Sequence, residues 1–463
     1  MTNSDGALRA GTLMISVSGM RGLVGIDLTP ELVARHAAAL GAWVRGSGGT
    51  HVVLGRDART SGEMFSRAAS AGLQSVGVDV IDVGIAPTPT VQMAVEHHCA
   101  GAGLIITASH NPIEWNALKF VGPDGIFLDA DAGAAVRNLA DHGPARAGWD
   151  EIGTVTVDDS AIARHLDAIL ALPDIDAEAI RARAFHVALD CVRGAGAPTM
   201  LALFDRLGVR VSGINLEVDG HFPRAPEPVP ENLGGLGELV QQSGADIGMA
   251  VDPDVDRLAL VDETGSPIGE DYTLALAIRA VLARCGDGAT VPVVVANLST
   301  SLVVADAARA GGARFIRAPV GEANVARAIV ENDAAIGGEG NGGVILPALH
   351  VGRDAPLGAA LILQYLAGLG RPLSQVVRDA PRYIIVKARA PRGGDLDAQY
   401  RRLEAIFPDA ERDHRDGLRL GWPDRWLHVR PSGTEPIVRL IAEAPTAAEA
   451  DALIARARSV GEE

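Results

Sequence analysis

The sequence predicts an α/β protein with three related α/β domains, built on mixed sheets, and a smaller C-terminal α+β domain. Three observations lead to this fold class. The order strand, loop, helix, strand occurs three times along the chain, and this pattern breaks after about residue 371. In addition, a chain of 463 residues with 48% apolar content is too long for one ordinary domain and can bury several cores. Such repeats indicate several sheets, each with right-handed crossover connections, rather than one large sheet.

The elements of the repeated units follow from apolar periodicity and from turn residues. Residues 13–22 predict a strand and a turn that presents Arg21, and Thr29 then caps a helix that ends near Arg45. The three units have predicted strands at 51–54 and 78–83, at 185–189 and 209–211, and at 291–296 and 313–316. The helices between these strands are predicted at 61–76, at 198–207 and up to about 310.

The last part of the chain reads differently. Strands are predicted at 383–388, 426–430 and 437–442, and helices at 396–407 and 447–460. We therefore expect four domains, with the boundaries 1–150, 151–256, 257–370 and 371–463. Loop-rich residues 141–149 and the Gly- and Pro-containing stretch 368–372 support the first and last boundaries.

Ser109 is the first hydroxyl beyond a predicted buried strand. The apolar run 103–107 is followed by Ala-Ser-His-Asn-Pro, and Asn and Pro favour a sharp turn. Ligands collect beyond the carboxyl ends of strands in open α/β sheets, so this hydroxyl lies where chemistry is usually done. A purely local role in the turn is the alternative.

Three carboxylates, Asp252, Asp254 and Asp256, alternate in a loop after a predicted strand. Alternate residues project to one side, so these carboxylates can converge on a hard cation such as Mg²⁺ or Ca²⁺. A solvated acidic loop is the alternative. An EF-hand is excluded because Arg257 replaces the glycine that its sharp turn requires.

Two further loops carry ligand-binding groups. Residues 337–343, Gly-Gly-Glu-Gly-Asn-Gly-Gly, place Glu339 and Asn341 where glycines allow close approach of a ligand. Residues 430–436, Arg-Pro-Ser-Gly-Thr-Glu-Pro, join two strands and combine a guanidinium, two hydroxyls and an accessible backbone N–H. That combination favours an anion such as phosphate over a plain hairpin turn.

Composition excludes other classes of protein. A net charge of −17 argues against nucleic acid as a partner. No apolar stretch reaches transmembrane length and no signal peptide is evident, so we expect no membrane partner and a cytoplasmic location. Cys99, Cys191 and Cys285 lack metal-site spacing, which fits reduced thiols.

The four loops together resemble the α-D-phosphohexomutases, the phosphoglucomutase and phosphomannomutase superfamily. The resemblance rests on Thr-Ala-Ser-His-Asn-Pro at 107–112, Asp-Pro-Asp-Val-Asp-Arg at 252–257, and the loops 337–343 and 430–436. It implies that the four domains surround one central cleft and that Ser109 carries a phosphoryl group. It also implies that Mg²⁺ is bound by Asp252, Asp254, Asp256 and a phosphoryl oxygen on Ser109.

The resemblance assigns roles to further residues. The expected catalytic residues are Ser109, Lys119, Arg21 and His110. Lys119 is the candidate acid or base; His110 is the second candidate, and its main expected role is to stabilise the turn that contains Ser109. The expected substrate-binding residues are Arg257, Glu339, Asn341, Arg430, Ser432, Gly433, Thr434 and Arg439. The chain departs from the family pattern at Asn341, where the family has Ser, and at Gly343, where it has His. The missing His puts a proton-transfer role there in doubt.

The implied activity is interconversion of hexose 6-phosphate and hexose 1-phosphate through a sugar 1,6-bisphosphate, which also serves as activator. The loops 115–119 and 338–343 look most like phosphoglucosamine mutases of archaeal type, with glucose or mannose phosphate as the alternative substrates. Two functions of other classes stay open, a serine-dependent phosphatase and a non-catalytic sugar-phosphate sensor. We expect a monomer or a homodimer.

Overall fold

The computed structural model of the chain describes residues 13–16, 19–284, 291–392, 394–432 and 437–461. Within these ranges the strands form four sheets, of seven, four, four and five strands. The first three sheets combine parallel and antiparallel pairs, whereas the fourth pairs its strands antiparallel. The predicted fold class is therefore confirmed.

The first unit is a seven-stranded sheet with helices packed against it. Its strands are β1 (Met14–Ser16), β2 (Gly19–Leu23), β3 (His51–Arg56), β4 (Asp79–Ile85), β5 (Ala102–Ile106), β6 (Trp115–Val121) and β7 (Val155–Val157). Its helices are α1 (Pro30–Gly46), α2 (Gly62–Gln74), α3 (Thr88–His97) and α4 (Ala130–His142). Thr29 caps α1 by accepting a hydrogen bond from the N–H of Leu32, as the sequence predicts. Every residue of β5, which leads to Ser109, is buried.

The second and third units each contain a four-stranded sheet. The second comprises α5 (Ala161–Leu170), α6 (Ala177–Ala182), β8 (His186–Asp190), α7 (Gly196–Arg206), β9 (Arg210–Ile214), α8 (Gly234–Ser243), β10 (Ile247–Val251) and β11 (Leu258–Val261). The third comprises α9 (Asp271–Leu282), β12 (Val293–Asn297), α10 (Leu302–Ala310), β13 (Arg314–Ala318), α11 (Glu322–Glu331), β14 (Ile336–Glu339), β15 (Gly343–Ile345) and α12 (Ala355–Leu369). One cluster of buried apolar side chains runs through both units and includes Leu189, Val251, Val294 and Leu361.

The fourth unit is a five-stranded antiparallel sheet with two longer helices. Helix α13 (Leu373–Arg378) precedes this sheet, and its Leu373 and Val376 belong to the core of the second and third units. The elements of the fourth unit are β16 (Ile384–Pro391), α14 (Leu396–Ile406), β17 (Glu411–Asp413), β18 (Leu418–Gly421), β19 (Trp426–Pro431), β20 (Ile437–Ala444) and α15 (Ala447–Gly461). Sequence periodicity missed β17 and β18, which are short strands of three and four residues, with β17 at the edge of the sheet. Tyr400, Leu420, Leu440 and Ile454 belong to its separate core.

One arrangement of four strands recurs in the first three sheets. The strand orders β6-β5-β3-β4, β11-β10-β8-β9 and β15-β14-β12-β13 are equivalent, with three parallel strands and an antiparallel fourth. In each sheet a loop joins the third strand of the chain order to the antiparallel strand. Those loops are residues 107–114, 252–257 and 340–342. The repeat therefore puts the Ser109 loop, the aspartate loop and the glycine-rich loop at equivalent positions.

Strand pairing also bears on where the units meet. β7 pairs with β4 of the first sheet, and β11 pairs with β10 of the second. The first and second sheets thus extend past residues 150 and 256, the boundaries expected from the sequence. None of the helices in the described ranges combines the length and the apolar character needed to span a bilayer.

Candidate active site

Loops from all four units line one cleft of about 660 Å³. The first unit contributes Arg21, Ser109 and Lys119, while Arg257 is the last residue of the aspartate loop and Arg430 comes from the fourth unit. Convergence of these cations suits the cleft to an anionic ligand, although the chain as a whole carries a net charge of −17.

Ser109 is buried at the base of this cleft. Its Oγ donates a hydrogen bond to Asp252 Oδ2 at 2.8 Å, across 143 residues of sequence. Its backbone has a φ of +48°, a left-handed conformation that a non-glycine residue adopts only when its surroundings hold it there. The backbone N–H of Ser109 donates to Thr107 Oγ1 at 2.9 Å, which is part of that support.

Arg59 provides the rest of the support, and sequence reasoning did not single it out. All five N–H groups of its buried guanidinium donate hydrogen bonds. The acceptors are the carbonyls of Ser109 (2.6 Å), Asn111 (2.7 Å), Pro112 (2.7 Å) and Trp115 (2.9 Å) and the carboxylate of Asp57 (3.0 Å). The only local signal is an Arg two residues after an Asp at the end of β3, which is too common a pattern to be diagnostic.

The three aspartates are fully buried, and oxygen atoms from all three lie within 4.8 Å of one another. Asp252 Oδ1 accepts hydrogen bonds from the N–H groups of Asp256 and Arg257, both at 3.2 Å. Asp254 Oδ1 and Asp256 Oδ1 are buried but accept no hydrogen bond from the described residues. Burial and the neighbouring charges of Asp256 and Asp254 raise the pKa of Asp252 well above its usual value. Clustered buried carboxylates with unused oxygens fit a divalent cation that prefers oxygen ligands.

Lys119 lies against these carboxylates. Its Nζ is 2.7 Å from Asp254 Oδ2 and 3.6 Å from Asp256 Oδ2. Burial lowers the pKa of Lys119, but the charges of Asp254 and Asp256 outweigh burial and raise that pKa above its ordinary value. Thr88 Oγ1 also donates to Asp254 Oδ2 at 2.8 Å, so that oxygen is held from two sides.

A second group of basic residues surrounds the Ser109 hydroxyl. His110 Nδ1 lies 3.3 Å from Ser109 Oγ, and Arg21 Nη1 donates to Asn111 Oδ1 at 3.1 Å. Arg257 Nη1 donates to Glu227 Oε1 at 3.2 Å. The charge of Arg257, burial and the charge of Arg21 hold the pKa of His110 well below its usual value.

Glu339 is buried, and both of its oxygens accept hydrogen bonds. Oε1 accepts from Asn297 Nδ2 at 2.9 Å and from the Gly321 N–H at 3.1 Å. Oε2 accepts from Arg353 Nη1 at 3.0 Å and from Asn341 Nδ2 at 3.5 Å. Burial raises the pKa of Glu339, but the Arg353 charge and these hydrogen bonds lower it further than burial raises it. Arg353, which sequence reasoning also missed, lines the cleft and donates to Glu339 from there.

The predicted phosphate site begins at Arg430, at the end of β19. Arg430 is an ion-pair partner of Asp416, at 3.0 Å, and it stands directly opposite Arg439 on β20. Arg389 on β16 stands opposite Arg439 from the other side, so three arginines form one row across the sheet. Guanidinium groups in such a row offer N–H donors and positive charge that suit an anion such as phosphate. The charge of Arg439 also lowers the pKa of Arg21, after burial and Arg257, so these two arginines lie near enough for their charges to interact.

Parts of two predicted motifs lie outside the described residues. Gly433 and Thr434 of the predicted phosphate loop belong to the stretch 433–436, and Ser18 of the Arg21 turn belongs to 17–18. Ser432, at the edge of the first stretch, is buried and its N–H donates to the carbonyl of Ile437 at 2.9 Å.

Family models match the chain in four consecutive parts. Their descriptions are phosphoglucomutase/phosphomannomutase alpha/beta/alpha domain I for residues 13–146, domain II for 163–265 and domain III for 269–383, and C-terminal domain for 385–460. These four stretches correspond to the four sheets described above.

Individual relatives are similar along nearly their whole length. A phosphoglucomutase/phosphomannomutase of Thermococcus kodakarensis is 41% identical over 92% of this chain and 93% of its own. A Methanopyrus kandleri protein named "probable phosphoglucosamine mutase" is 38% identical over 92% of this chain and 93% of its own. A solved structure of a phosphoglucomutase/phosphomannomutase family protein from Burkholderia thailandensis has a TM-score of 0.85, 27% identity and 96% coverage of both chains.

Proposed function

The chain belongs to the phosphoglucomutase/phosphomannomutase family, and from that premise we propose that it interconverts hexose 6-phosphate and hexose 1-phosphate. The reaction proceeds through a phosphorylated Ser109 and a hexose 1,6-bisphosphate intermediate. One observation carries this proposal. A buried serine hydroxyl donates to a carboxylate of a three-aspartate cluster, in a cleft that also contains Arg430 of the fourth unit.

Phosphoryl transfer depends mainly on positioning and on neutralising charge. In the first half-reaction the bond between phosphorus and Ser109 Oγ breaks, and a bond forms between phosphorus and a hexose hydroxyl oxygen. That hydroxyl loses its proton and Ser109 Oγ gains one. The neighbouring aspartates raise the pKa of Lys119, so Lys119 starts protonated; we propose that it donates a proton to the leaving Ser109 Oγ and then takes up the proton of the attacking hydroxyl. Arg21 and Arg257 border the same space and would balance charge on the phosphoryl oxygens.

Asp252, Asp254 and Asp256 would bind a divalent cation, for which we propose Mg²⁺. When bound, such a cation supplies positive charge to the transferring group without a proton of its own. Asp254 Oδ1 and Asp256 Oδ1, which accept no hydrogen bond within the described part of the chain, support this assignment. A phosphoryl oxygen on Ser109 would complete the ligand set that the sequence resemblance implies.

The phosphate that is not transferred would bind at the fourth unit. Arg430, Arg439, Ser432 and the stretch that contains Gly433 and Thr434 form this proposed clamp. The bisphosphate then turns over within the cleft, so that its other phosphate returns to Ser109. Glu339 and Asn341 are the proposed contacts for sugar hydroxyls, and both orientations of the sugar must satisfy them.

For the sugar we propose glucosamine phosphate, with glucose and mannose phosphates as the alternative. The names of the similar proteins include both activities, so an assay has to decide. For the location we propose the cytoplasm, and for the assembly a monomer or homodimer.

The test measures isomerised sugar phosphate and released inorganic phosphate, with glucosamine, glucose and mannose 6-phosphates and a catalytic amount of the matching bisphosphate. We compare the unmodified chain with Ser109→Ala and, as control, with Ser459→Ala on the exposed surface of α15. The expected result is isomerisation that Ser109→Ala abolishes and Ser459→Ala preserves. Release of phosphate without isomerisation would indicate a phosphatase, and binding without either product or a phosphorylated Ser109 would indicate a sensor.

A further inference from the structure

Arg353 joins three loops that sequence analysis treated separately. It lies just before α12, is 6% exposed, and binds three carboxylates. Its Nη2 donates to Asp256 Oδ2 at 2.6 Å, and its Nη1 donates to Glu339 Oε2 at 3.0 Å. Its Nε and its backbone N–H donate to the two oxygens of Glu322, at 3.0 and 3.1 Å. One planar cation therefore connects the aspartate loop, the glycine-rich loop and the first turn of α11.

Gly343 provides the space for this side chain. Gly343 begins β15 and pairs with Glu339 across the hairpin. A Cβ atom on residue 343 would lie 2.2 Å from Arg353 Cδ and 2.8 Å from its Cγ. Because three nitrogens of Arg353 are tied to carboxylates, the middle of its side chain has little freedom to move aside. A side chain at position 343 and the observed placement of Arg353 are mutually exclusive.

The contacts of Arg353 also determine which oxygens remain for ligands. Asp256 Oδ2 accepts from Arg353, and the other oxygen, Oδ1, is one of the two aspartate oxygens that accept no hydrogen bond from any residue the structure describes. Rotation of the Asp256 carboxylate would exchange the two oxygens, and the bond from Arg353 opposes that rotation. The same guanidinium fixes one oxygen of Glu339, so it orients a metal-loop carboxylate and a sugar-loop carboxylate together.

We propose that Arg353 is a positioning residue that sets the affinity of the aspartate cluster for its divalent cation and orients Glu339 toward the sugar. Gly343 is its necessary companion. This inference rests on the proposed function, because it assumes that the three aspartates bind a cation.

A substitution that removes the charge of Arg353 would change metal affinity through two opposing effects at once. A cation beside Asp256 repels a metal ion, so its loss strengthens metal binding electrostatically, while loss of orientation weakens it. Two charge-conserving substitutions separate these effects. Arg353→Lys has one nitrogen in place of the three that contact Asp256, Glu339 and Glu322. Gly343→Ala leaves Arg353 in the chain but displaces it.

The experiment titrates Mn²⁺ into the metal-free full-length chain and measures bound ion by electron paramagnetic resonance, with no sugar present. We expect Arg353→Lys and Gly343→Ala each to raise the Kd for Mn²⁺ about 10-fold, the usual size of an effect on a residue that orients a metal ligand. Gly358→Ala, in the adjacent helix α12, is the control, because its new Cβ makes only ordinary contacts with the side chains of Leu258 and Val344, both at 3.5 Å. Its Kd is expected to equal that of the unmodified chain.

A purely structural role for Arg353 would lower the thermal midpoint but leave the Mn²⁺ Kd of the folded protein unchanged, and that result overturns the proposal. If one variant fails to fold, the folded one decides. The KM for the sugar phosphate is expected to rise in both variants through Glu339, and an unchanged KM would overturn that part. Because Mn²⁺ binding is read without turnover, an unmodified chain that binds Mn²⁺ but isomerises no sugar refutes the proposed function separately.

Discussion

Substitution of Arg59 by lysine tests how the Ser109 loop is held. Lysine keeps the positive charge beside Asp57 but has three N–H donors in place of five. At least two of the five acceptors of Arg59, four of which are carbonyls of residues 109–115, therefore lose their partner. The Ser109 carbonyl is buried, whereas Pro112 is exposed and water can replace its bond.

The size of the effect follows from these bonds. An unsatisfied buried carbonyl costs about 1–3 kcal/mol, so two lost bonds, one of them partly replaced by water, cost roughly 2–4 kcal/mol. Since about 1.4 kcal/mol corresponds to a factor of ten, the opening equilibrium of the loop is expected to rise roughly 30- to 1,000-fold. The positive φ of Ser109 adds to the tendency to open, because such a backbone conformation persists only while its surroundings hold it in place.

Hydrogen exchange followed by mass spectrometry measures this opening directly for peptides that contain residues 107–116. Faster exchange in Arg59→Lys, confined to that segment, and a lower kcat are expected. Arg67→Lys is the control, because Arg67 is 79% exposed and makes one bond to Glu63, so its exchange pattern should not change. Exchange at 107–116 that equals that of the unmodified chain would refute the argument that Arg59 holds the loop.

Three further predictions concern stability and metal dependence. Burial raises the pKa of Asp271 to about 8, so its contribution to stability is full below about pH 4 and is lost as the pH rises toward 8. In Asp271→Asn the thermal midpoint should therefore depend less on pH between pH 5 and pH 8 than in the unmodified chain, and an equal pH dependence in both proteins would contradict this. Asp354→Ala should destabilise the chain by about 3 kcal/mol in urea, because the buried His165 and His350, at 2.7 and 3.0 Å, lose their carboxylate; an unchanged midpoint would show that this cluster contributes little. Removal of divalent ions with a chelator should abolish isomerisation and Mg²⁺ should restore it, whereas full activity in the chelator would exclude a metal requirement.

Local pattern was sufficient for much of the fold. Apolar periodicity and a Thr cap predicted the helix that the structure shows as Pro30–Gly46, and short apolar runs predicted β5 and β8 within one or two residues. Each of these elements has apolar residues that recur at the period of its backbone, about 3.6 residues in a helix and 2 in a strand, and so share one face. That pattern is contained in roughly ten neighbouring residues. Short edge strands such as β17 carry too little of that pattern, and sequence reasoning missed them.

Local sequence also identified the loops that bear chemistry, since Ser109, the three aspartates and Glu339 are each conspicuous in their own segment. It did not indicate Arg59 or Arg353, whose partners lie about 50 and up to 97 residues away. Arginine is the chain's usual basic residue, and a guanidinium acquires a particular role only from the carboxylates and carbonyls that packing brings to it. Which loops meet, and which cation holds them, is decided by the equivalent hairpins of three sheets, because their packing against one another sets distances that no local pattern encodes.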